Sequence, residues 1–240
     1  MPKIRNLDEA AAAILDAQQA KRRLEVRGLG TKSQLGNQPD YDDCLDVSVM
    51  RGIVDYQPEE LVLTVRAGTA LAEIEAELAQ ANQMLAFEPA DLSGLLASKS
   101  TGTIGGVLAT NMSGPRRLTA GAARDFLLGF DAVSGRGERF KSGGRVMKNV
   151  TGYDLSKLMC GSYGTLAVVD EVTIKTLPRP ETSLSLLFGC NDMGSAVAKI
   201  ATIFASSHEP GAAAILPQNV AVTAGLDTAA AFIVVIRLEG

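Results

Sequence analysis

The feature of this sequence that most constrains its fold is the uneven distribution of glycine. Of the 24 glycines, 14 lie between Gly94 and Gly164, about twice the number that even spacing would place there. Glycine has no Cβ, so it adopts positive φ angles and lets neighbouring groups approach the backbone closely. We therefore predict that this part of the chain makes its contacts through backbone more than through side chains.

Hydrophobic spacing predicts a mixed α/β chain. Asn6 followed by Glu9 matches a helix-start box, and the Ala-rich run to Ala20 favours a helix. Alternating apolar residues predict strands, and apolar residues three or four apart predict helices. A new unit is expected to begin near Glu181, after two prolines. The other predicted strands are residues 24–26, 44–49, 61–65, 167–174 and 230–240, and the other predicted helices are residues 70–80 and 193–207.

The composition indicates a globular protein and excludes several functions. Hydrophobic residues make up 46% of 240, enough for a sizeable core, and the net charge of −4 provides no cationic field for nucleic acid. Cys44, Cys160 and Cys190 are widely spaced, which favours reduced thiols over disulfides or a zinc site. The start of the chain lacks an apolar signal core, and the longest apolar run, Ala229–Ile236, is too short to cross a membrane.

The stretch "VRGLGTKSQLG", residues 26–36, is a candidate anion-binding turn. Two glycines free the backbone, so the N–H groups of residues 28–32 could face one anion, with the hydroxyls of Thr31 and Ser33 beside them. Ser33 stands where the third glycine of GxGxxG belongs, and no GxxxxGK[ST] sequence occurs, which disfavours a nicotinamide nucleotide or ATP. Taken alone, such a stretch is more often an ordinary tight turn.

Two later segments give this turn a function. They are "PADLSGLLASKSTGTIGGVLATNMSGPRR", residues 89–117, and "NVTGYDLSKLMCGSYGTLAVVDEVTIKTLPRP", residues 149–180. With the first turn they resemble the flavoproteins of the vanillyl-alcohol oxidase or PCMH type. The resemblance implies an α+β fold: a PCMH-type FAD-binding domain of two α/β subdomains, residues 1–57 and 58–180, followed by the start of a ferredoxin-like-type cap domain, residues 181–240. Because the chain ends shortly after its last strand, we expect that cap to be truncated.

The resemblance also implies the residues that bind FAD. Those expected to wrap the pyrophosphate are Arg27, Gly28, Leu29, Gly30, Thr31, Lys32 and Ser33. Those expected to line the flavin are Pro89, Asp91, Thr103, Gly105, Gly106, Thr110, Asn111, Ser113 and Gly114. Those of the last motif are Gly164, Thr165, Leu166, Val168 and Val169, with Ala167 in place of a glycine common in the family.

The first turn contains neither His nor Cys, the residues that carry covalent FAD in this family, so we expect the FAD to be non-covalent, with no metal. Within the family the chain is most similar to the smaller FAD-binding subunits of bacterial glycolate oxidases. That similarity implies oxidation of glycolate or a related 2-hydroxy acid, a sister catalytic flavin subunit and an iron–sulfur subunit that receives the electrons. It also implies a cytoplasmic protein, peripheral to the inner membrane only through partners. The alternatives are a non-catalytic FAD-binding subunit, a flavoenzyme like D-lactate dehydrogenase and, more remotely, a nicotinamide dehydrogenase.

No catalytic base is identified by the sequence, and Tyr153 is the first candidate to test. Its alternative role is part of a helix start capped by Thr151, with charged side chains in solvent. Arg116, Arg117 and Arg124 follow the flavin-lining segment and could hold a substrate carboxylate, although arginines of this kind more often lie on a solvated face or pair with acids such as Asp125. The only histidine, His208, is more consistent with a surface residue than with a ligand.

Overall fold

The structure is a computed structural model that describes residues 3–37, 40–96, 98, 100–144 and 152–240. It divides into two compact units. The first unit comprises Met1–Ser113 and Ala122–Pro178, and the second comprises Gly114–Gly121 and Arg179–Gly240. The division into two FAD-binding subdomains at residue 57 and the cap boundary at residue 180 stay predictions.

The first unit contains short helices and strands in mixed order. Its helices are α1 (Leu7–Gln19), α2 (Leu71–Gln80), α3 (Ile104–Thr110), α4 (Ala123–Phe126) and α5 (Leu155–Met159). Its strands are β1 (Leu24–Arg27), β2 (Asp43–Asp46), β3 (Ile53–Gln57), β4 (Val62–Arg66), β5 (Gln83–Met84), β6 (Leu127–Ser134), β7 (Arg139–Gly143), β8 (Ala167–Lys175) and β9 (Leu177–Pro178). A 3₁₀ turn at Pro58–Glu60 joins β3 to β4.

One hydrophobic cluster fixes where the first turn leaves its sheet. β1 and β2 are parallel, whereas the larger sheet has the antiparallel order β3-β4-β8-β6-β7. Leu7 and Ile14 lie on one face of α1, because residues seven apart fall on the same side of a helix. They pack with Leu45 of β2, Val133 of β6 and Val168 of β8. The cluster therefore holds the small sheet, and the turn after β1, against the larger sheet.

The second unit is an antiparallel sheet covered by a helix. Its elements are β10 (Ser183–Cys190), α6 (Met193–Phe204), β11 (Ala212–Pro217), α7 (Gln218–Thr223) and β12 (Phe232–Glu239), with the strand order β10-β12-β11. Ala196 of α6 packs on Val234 and Ile236 of β12. The segment Gly114–Gly121 joins this unit, since the hydroxyl of Thr119 donates to the carbonyl of Gly211 at 2.7 Å.

The mixed α/β prediction is confirmed, and each predicted helix and strand has a counterpart within a few residues. Asn6 caps α1 as expected, because its Oδ1 accepts a hydrogen bond from the N–H of Glu9 at 2.9 Å. The cap predicted at Thr151 lies outside the described residues. α5 begins at Leu155, and Asp154 caps it by accepting from the N–H of Lys157. Among the described helices, none is both long and apolar enough to span a membrane.

Candidate functional site

The first turn lies close to the start of α3. A Cβ placed on Gly28 would lie 2.9 Å from Oγ1 of Thr103, too close for any other residue without movement. Gly30 has φ +70, a conformation that side chains other than glycine rarely adopt. The two glycines therefore have different tasks, since Gly28 allows the approach to α3 and Gly30 allows the chain to turn.

The backbone of this turn has unpaired donors. Among the described residues, none accepts a hydrogen bond from the N–H of Leu29, Gly30, Thr31 or Lys32. These residues line an open cleft of about 400 Å³, here called the cleft. Successive amides in a turn form a concave surface that suits an anion. The turn can therefore accept a diphosphate without a cluster of basic side chains.

The start of α3 forms a second wall. Oγ1 of Thr103 accepts a hydrogen bond from the N–H of Gly106 at 3.2 Å and so caps the helix. A Cβ on Gly105 would lie 2.8 Å from the carbonyl oxygen of Ala67. Gly105 thus lets α3 pack against the chain that follows β4, while Gly106 on the next position borders the cleft. In the TIGG sequence, Thr103 therefore caps the helix, Gly105 allows close packing, and Gly106 leaves space at the cleft.

Lys32 brings a cation to this wall. A Cβ on Gly102 would lie 2.8 Å from Nζ of Lys32, so the side chain of Lys32 lies across Gly102. Burial lowers the pKa of Lys32, and the charge of Asp91 opposes that change. The pKa of Asp91 is itself lowered, first by its hydrogen bonds with Ser93 and to a smaller extent by Lys32. A half-buried ammonium group therefore lies beside the cleft without a close carboxylate partner among the described residues.

The third wall is the loop after α5. The N–H of Gly161 donates to the carbonyl of Leu108 at 3.0 Å, and the N–H of Tyr163 donates to the carbonyl of Ala109 at 2.9 Å. These bonds reach carbonyls in the last turn of α3, where the regular helical partners are missing, although the carbonyl of Leu108 also accepts from the N–H of the capping residue Asn111. The loop is therefore fixed to the carboxyl end of the helix whose amino end contacts the first turn.

An apolar cavity of about 110 Å³, here called the cavity, adjoins the cleft. The two share Val26, Gly28, Thr103, Gly106, Ala109, Tyr163 and Gly164. The cavity is otherwise bordered by apolar side chains such as Leu127, Phe130 and Met159. Unpaired amides beside an apolar recess suit a molecule that has both a diphosphate and a planar ring, as FAD has. The residues present therefore fit the cofactor that the resemblance implies.

The structure brings most of the sequence-predicted site residues to these two spaces. Residues of that set that line the cleft are Arg27, Gly28, Leu29, Gly30, Thr31, Lys32, Ser33, Thr103, Gly106, Thr110, Gly164 and Thr165. Gly105 and Val169 line the cavity. Leu166 and Val168 line a separate groove beside α1. Pro89, Asp91, Asn111, Ser113 and Gly114 line neither the cleft nor the cavity. Contact of any of these residues with FAD stays a prediction.

The candidate catalytic residues lie outside the cleft and the cavity. Tyr153 is 89% exposed. Nε of Arg124 lies 3.8 Å from Oδ1 of Asp125, which agrees with the predicted alternative that this arginine pairs with an acid. Arg116 pairs with Glu239 at 3.4 Å in the second unit. His208 is exposed. The three cysteines are free, and burial raises the pKa of Cys160 to about 12, which keeps it a thiol.

Sequence reasoning missed Gly102, Ala109 and Tyr163. Gly102 has φ +101 and provides the surface on which Thr31 and Lys32 lie. Tyr163 occupies the variable position of the GSxGTL sequence and borders both the cleft and the cavity. An aromatic residue directly before Gly164, in a glycine-rich loop, was the sequence signal for it.

Comparison with known proteins also identifies an FAD-binding domain. A family model described as "FAD binding domain" matches residues 3–143. The chain is 46% identical over 186 residues to the glycolate oxidase subunit GlcE of Escherichia coli, covering 76% of this chain and 51% of that protein. It is 30% identical over 243 residues to the glycolate oxidase subunit GlcD of Bacillus subtilis, covering 98% of this chain and 50% of that protein.

A solved structure of alkyldihydroxyacetonephosphate synthase has the same fold, with a TM-score of 0.73 and 17% identity, covering 99% of this chain and 46% of that chain. The chain spans about half the length of the curated relatives it matches.

Proposed function

Because the chain belongs to the PCMH-type family of FAD-binding domains and takes FAD as its cofactor, we propose that it is the FAD-binding part of a glycolate oxidase subunit. Its substrate is glycolate or a related 2-hydroxy acid. The observation that carries the proposal is that three segments separated in sequence, the first turn, α3 and the loop after α5, line one cleft with an apolar recess. The similarity to the glycolate oxidase subunits named above supports this choice of substrate.

Each wall of the site has a task in this proposal. The unpaired amides of residues 29–32 hold the diphosphate, and the ammonium group of Lys32 adds one positive charge. Small residues of α3 leave room beside the helix, and the apolar side chains of the cavity exclude water from the ring. Bound flavin supplies the redox chemistry, since its ring accepts hydride from the substrate carbon. Neither His nor Cys lines the described cleft or cavity, which supports non-covalent binding.

We further propose that the subunit acts within a complex. The subunit works with a sister flavin subunit and passes electrons to an iron–sulfur subunit. It is cytoplasmic and reaches the inner membrane only through that complex. Tyr153 is the base to test first, although it lies outside the cleft and the cavity. The second unit belongs to a cap domain that takes part in substrate binding.

A second candidate function is a non-catalytic FAD-binding subunit. It is favoured by the side chains that border the cleft and the cavity, because the titratable ones among the described residues are Glu25, Arg27, Lys32, Tyr41 and Tyr163. None of these is a histidine, the residue that most often acts as a general base near neutral pH. Under this candidate the chemistry occurs in the sister subunit.

An anaerobic absorption experiment separates the two candidates. The purified protein is expected to be yellow, and glycolate or D-lactate is expected to bleach its flavin band if the first candidate is right. A band that persists with both acids when the protein is tested alone, and that is bleached only after addition of the sister subunit, would support the non-catalytic candidate. A colourless protein that binds no FAD on titration would contradict both, and the same titration with NAD tests a nicotinamide enzyme.

A further inference from the structure

Tyr163 has a backbone conformation that costs free energy. Its φ is +55, in the left-handed region, where a bulky aromatic residue is an outlier. Gly161 and Gly164 on either side also have positive φ angles, +86 and +72, but glycine adopts them without a steric penalty. Strain of this kind is concentrated at functional sites, where the surrounding structure maintains it.

Two backbone hydrogen bonds maintain this conformation. They run from Gly161 and Tyr163 to the carbonyls of Leu108 and Ala109, at 3.0 and 2.9 Å. The carbonyl of Leu108 also accepts from the N–H of Asn111, but Tyr163 supplies the bond to the carbonyl of Ala109, so relaxation of the loop would break that bond at the end of α3. The position of the Tyr163 side chain is therefore set by the helix that forms one wall of the cleft.

The ring of Tyr163 has the surroundings of a ligand contact. Its side chain is 56% exposed and borders both the cleft and the cavity. Among the described residues, the hydroxyl has no hydrogen-bond partner and the ring has no aromatic or cationic neighbour. An exposed ring that is held by its backbone, and whose faces the protein does not use, is available to a planar molecule.

We propose that Tyr163 stacks on a planar ring of the bound dinucleotide, at the place where the cleft meets the cavity. This inference rests on FAD binding in these two spaces. Gly106 and Ala109, which border both spaces with Tyr163, carry little or no side chain and so leave room for a flat ring. Offset stacking on tyrosine is favourable for any base or flavin, because each has a π face. A ring positioned by its own backbone also loses little conformational freedom on binding.

The experiment measures FAD affinity of the apoprotein by titration for wild type, Y163F and Y163L. Y163F keeps the ring, so its affinity stays within about twofold of wild type. Y163L removes the ring and is expected to bind FAD about tenfold to hundredfold more weakly, the range for loss of one stacked base. Titration with ADP identifies the ring: an equal loss for ADP assigns the contact to adenine, and unchanged ADP affinity assigns it to the isoalloxazine.

A glycine pair controls for strain. Lys21 has φ +54, similar to Tyr163, but borders neither space. K21G and Y163G both remove the steric strain of a non-glycine residue at positive φ, so they shift the urea midpoint of the apoprotein in the same direction. Only Y163G is expected to weaken FAD binding. Y163L that binds like wild type, or Y163F that binds as weakly as Y163L, would overturn the stacking role. Wild-type protein that binds no FAD would overturn the cofactor site itself.

Discussion

Two loops near α3 are both implicated in FAD binding by the family resemblance, yet the structure uses their polar groups in opposite ways. In the first turn, residues 28–33, the N–H groups of residues 29–32 have no partner among the described residues. The second loop, residues 111–113, follows α3 and is here also called the second segment. In it, Oδ1 of Asn111 accepts from the N–H of Arg124, and Oγ of Ser113 accepts from the N–H of Ala123, both at 3.0 Å. The first loop leaves its backbone N–H donors available to a ligand, whereas the side-chain acceptors of the second loop are already bonded to the N–H groups of α4.

The difference shows what a motif match does and does not specify. A polar group that already has a protein partner gains little from a ligand, because the new bond only replaces an existing one. An N–H that faces solvent in an open cleft exchanges water for a stronger, charge-assisted hydrogen bond when an anion binds. Affinity for FAD should therefore depend on the first turn, and stability should depend on the second segment.

The largest expected effect is that of G30V. Valine at φ +70 is strongly disfavoured because of its branched Cβ, so the turn must change shape and its amides diverge. We expect FAD affinity to fall by more than about hundredfold, while the far-UV circular dichroism of the apoprotein stays that of a folded chain. Titration of the apoprotein with FAD measures the loss.

Gly225 provides a matched control for this change. It has φ +82, and a Cβ there would contact nothing within 4 Å, in the second unit. G225V therefore imposes similar backbone strain at a residue that lines neither the described cleft nor the cavity, and its FAD affinity is expected to match wild type. If G30V retained stoichiometric flavin, the assignment of the turn to the diphosphate would be wrong.

A smaller effect is expected from K32M. In the free protein burial lowers the pKa of Lys32 from its ordinary value of 10.5, and a bound diphosphate would raise it again. FAD binding then takes up a proton between the two pKa values, so affinity falls as pH rises through that window, which begins below 10.5. At neutral pH, K32M loses a charged hydrogen bond and is expected to bind FAD about tenfold more weakly.

The pH dependence of FAD affinity tests the role of Lys32 without relying on how much affinity K32M loses at neutral pH. Wild-type affinity is measured at several alkaline pH values at which the protein stays folded, and K32M is measured beside it. Wild type is expected to lose affinity with rising pH more steeply than K32M, since the variant lacks the titrating group. Equal slopes in the two proteins would place Lys32 away from the diphosphate.

The parts of the fold and site that sequence predicted are those encoded locally. The helix start at Asn6 and the positive φ of Gly30 each depend on a few neighbouring residues, so their patterns could be read directly. The role of Tyr163 could not, because it depends on carbonyls of α3 more than fifty residues earlier. Gly114–Gly121 likewise belongs to the second unit through the hydrogen bond from Thr119 to Gly211, which no local sequence pattern predicts.

The smallest expected effect, and the sharpest test of the second segment, is that of S113A. Removing Oγ leaves the N–H of Ala123 without its acceptor and should lower the free energy of unfolding by about 1 kcal/mol, measured with urea. FAD affinity is expected to stay within about twofold of wild type. S134A is the matched control, since Oγ of Ser134 accepts from the N–H of Arg136 at 3.2 Å in the turn between β6 and β7. If S113A lost tenfold in FAD affinity and S134A did not, the Ser113 hydroxyl would contact the cofactor, and the contrast between the two loops would fail because one side chain would serve both the fold and the ligand.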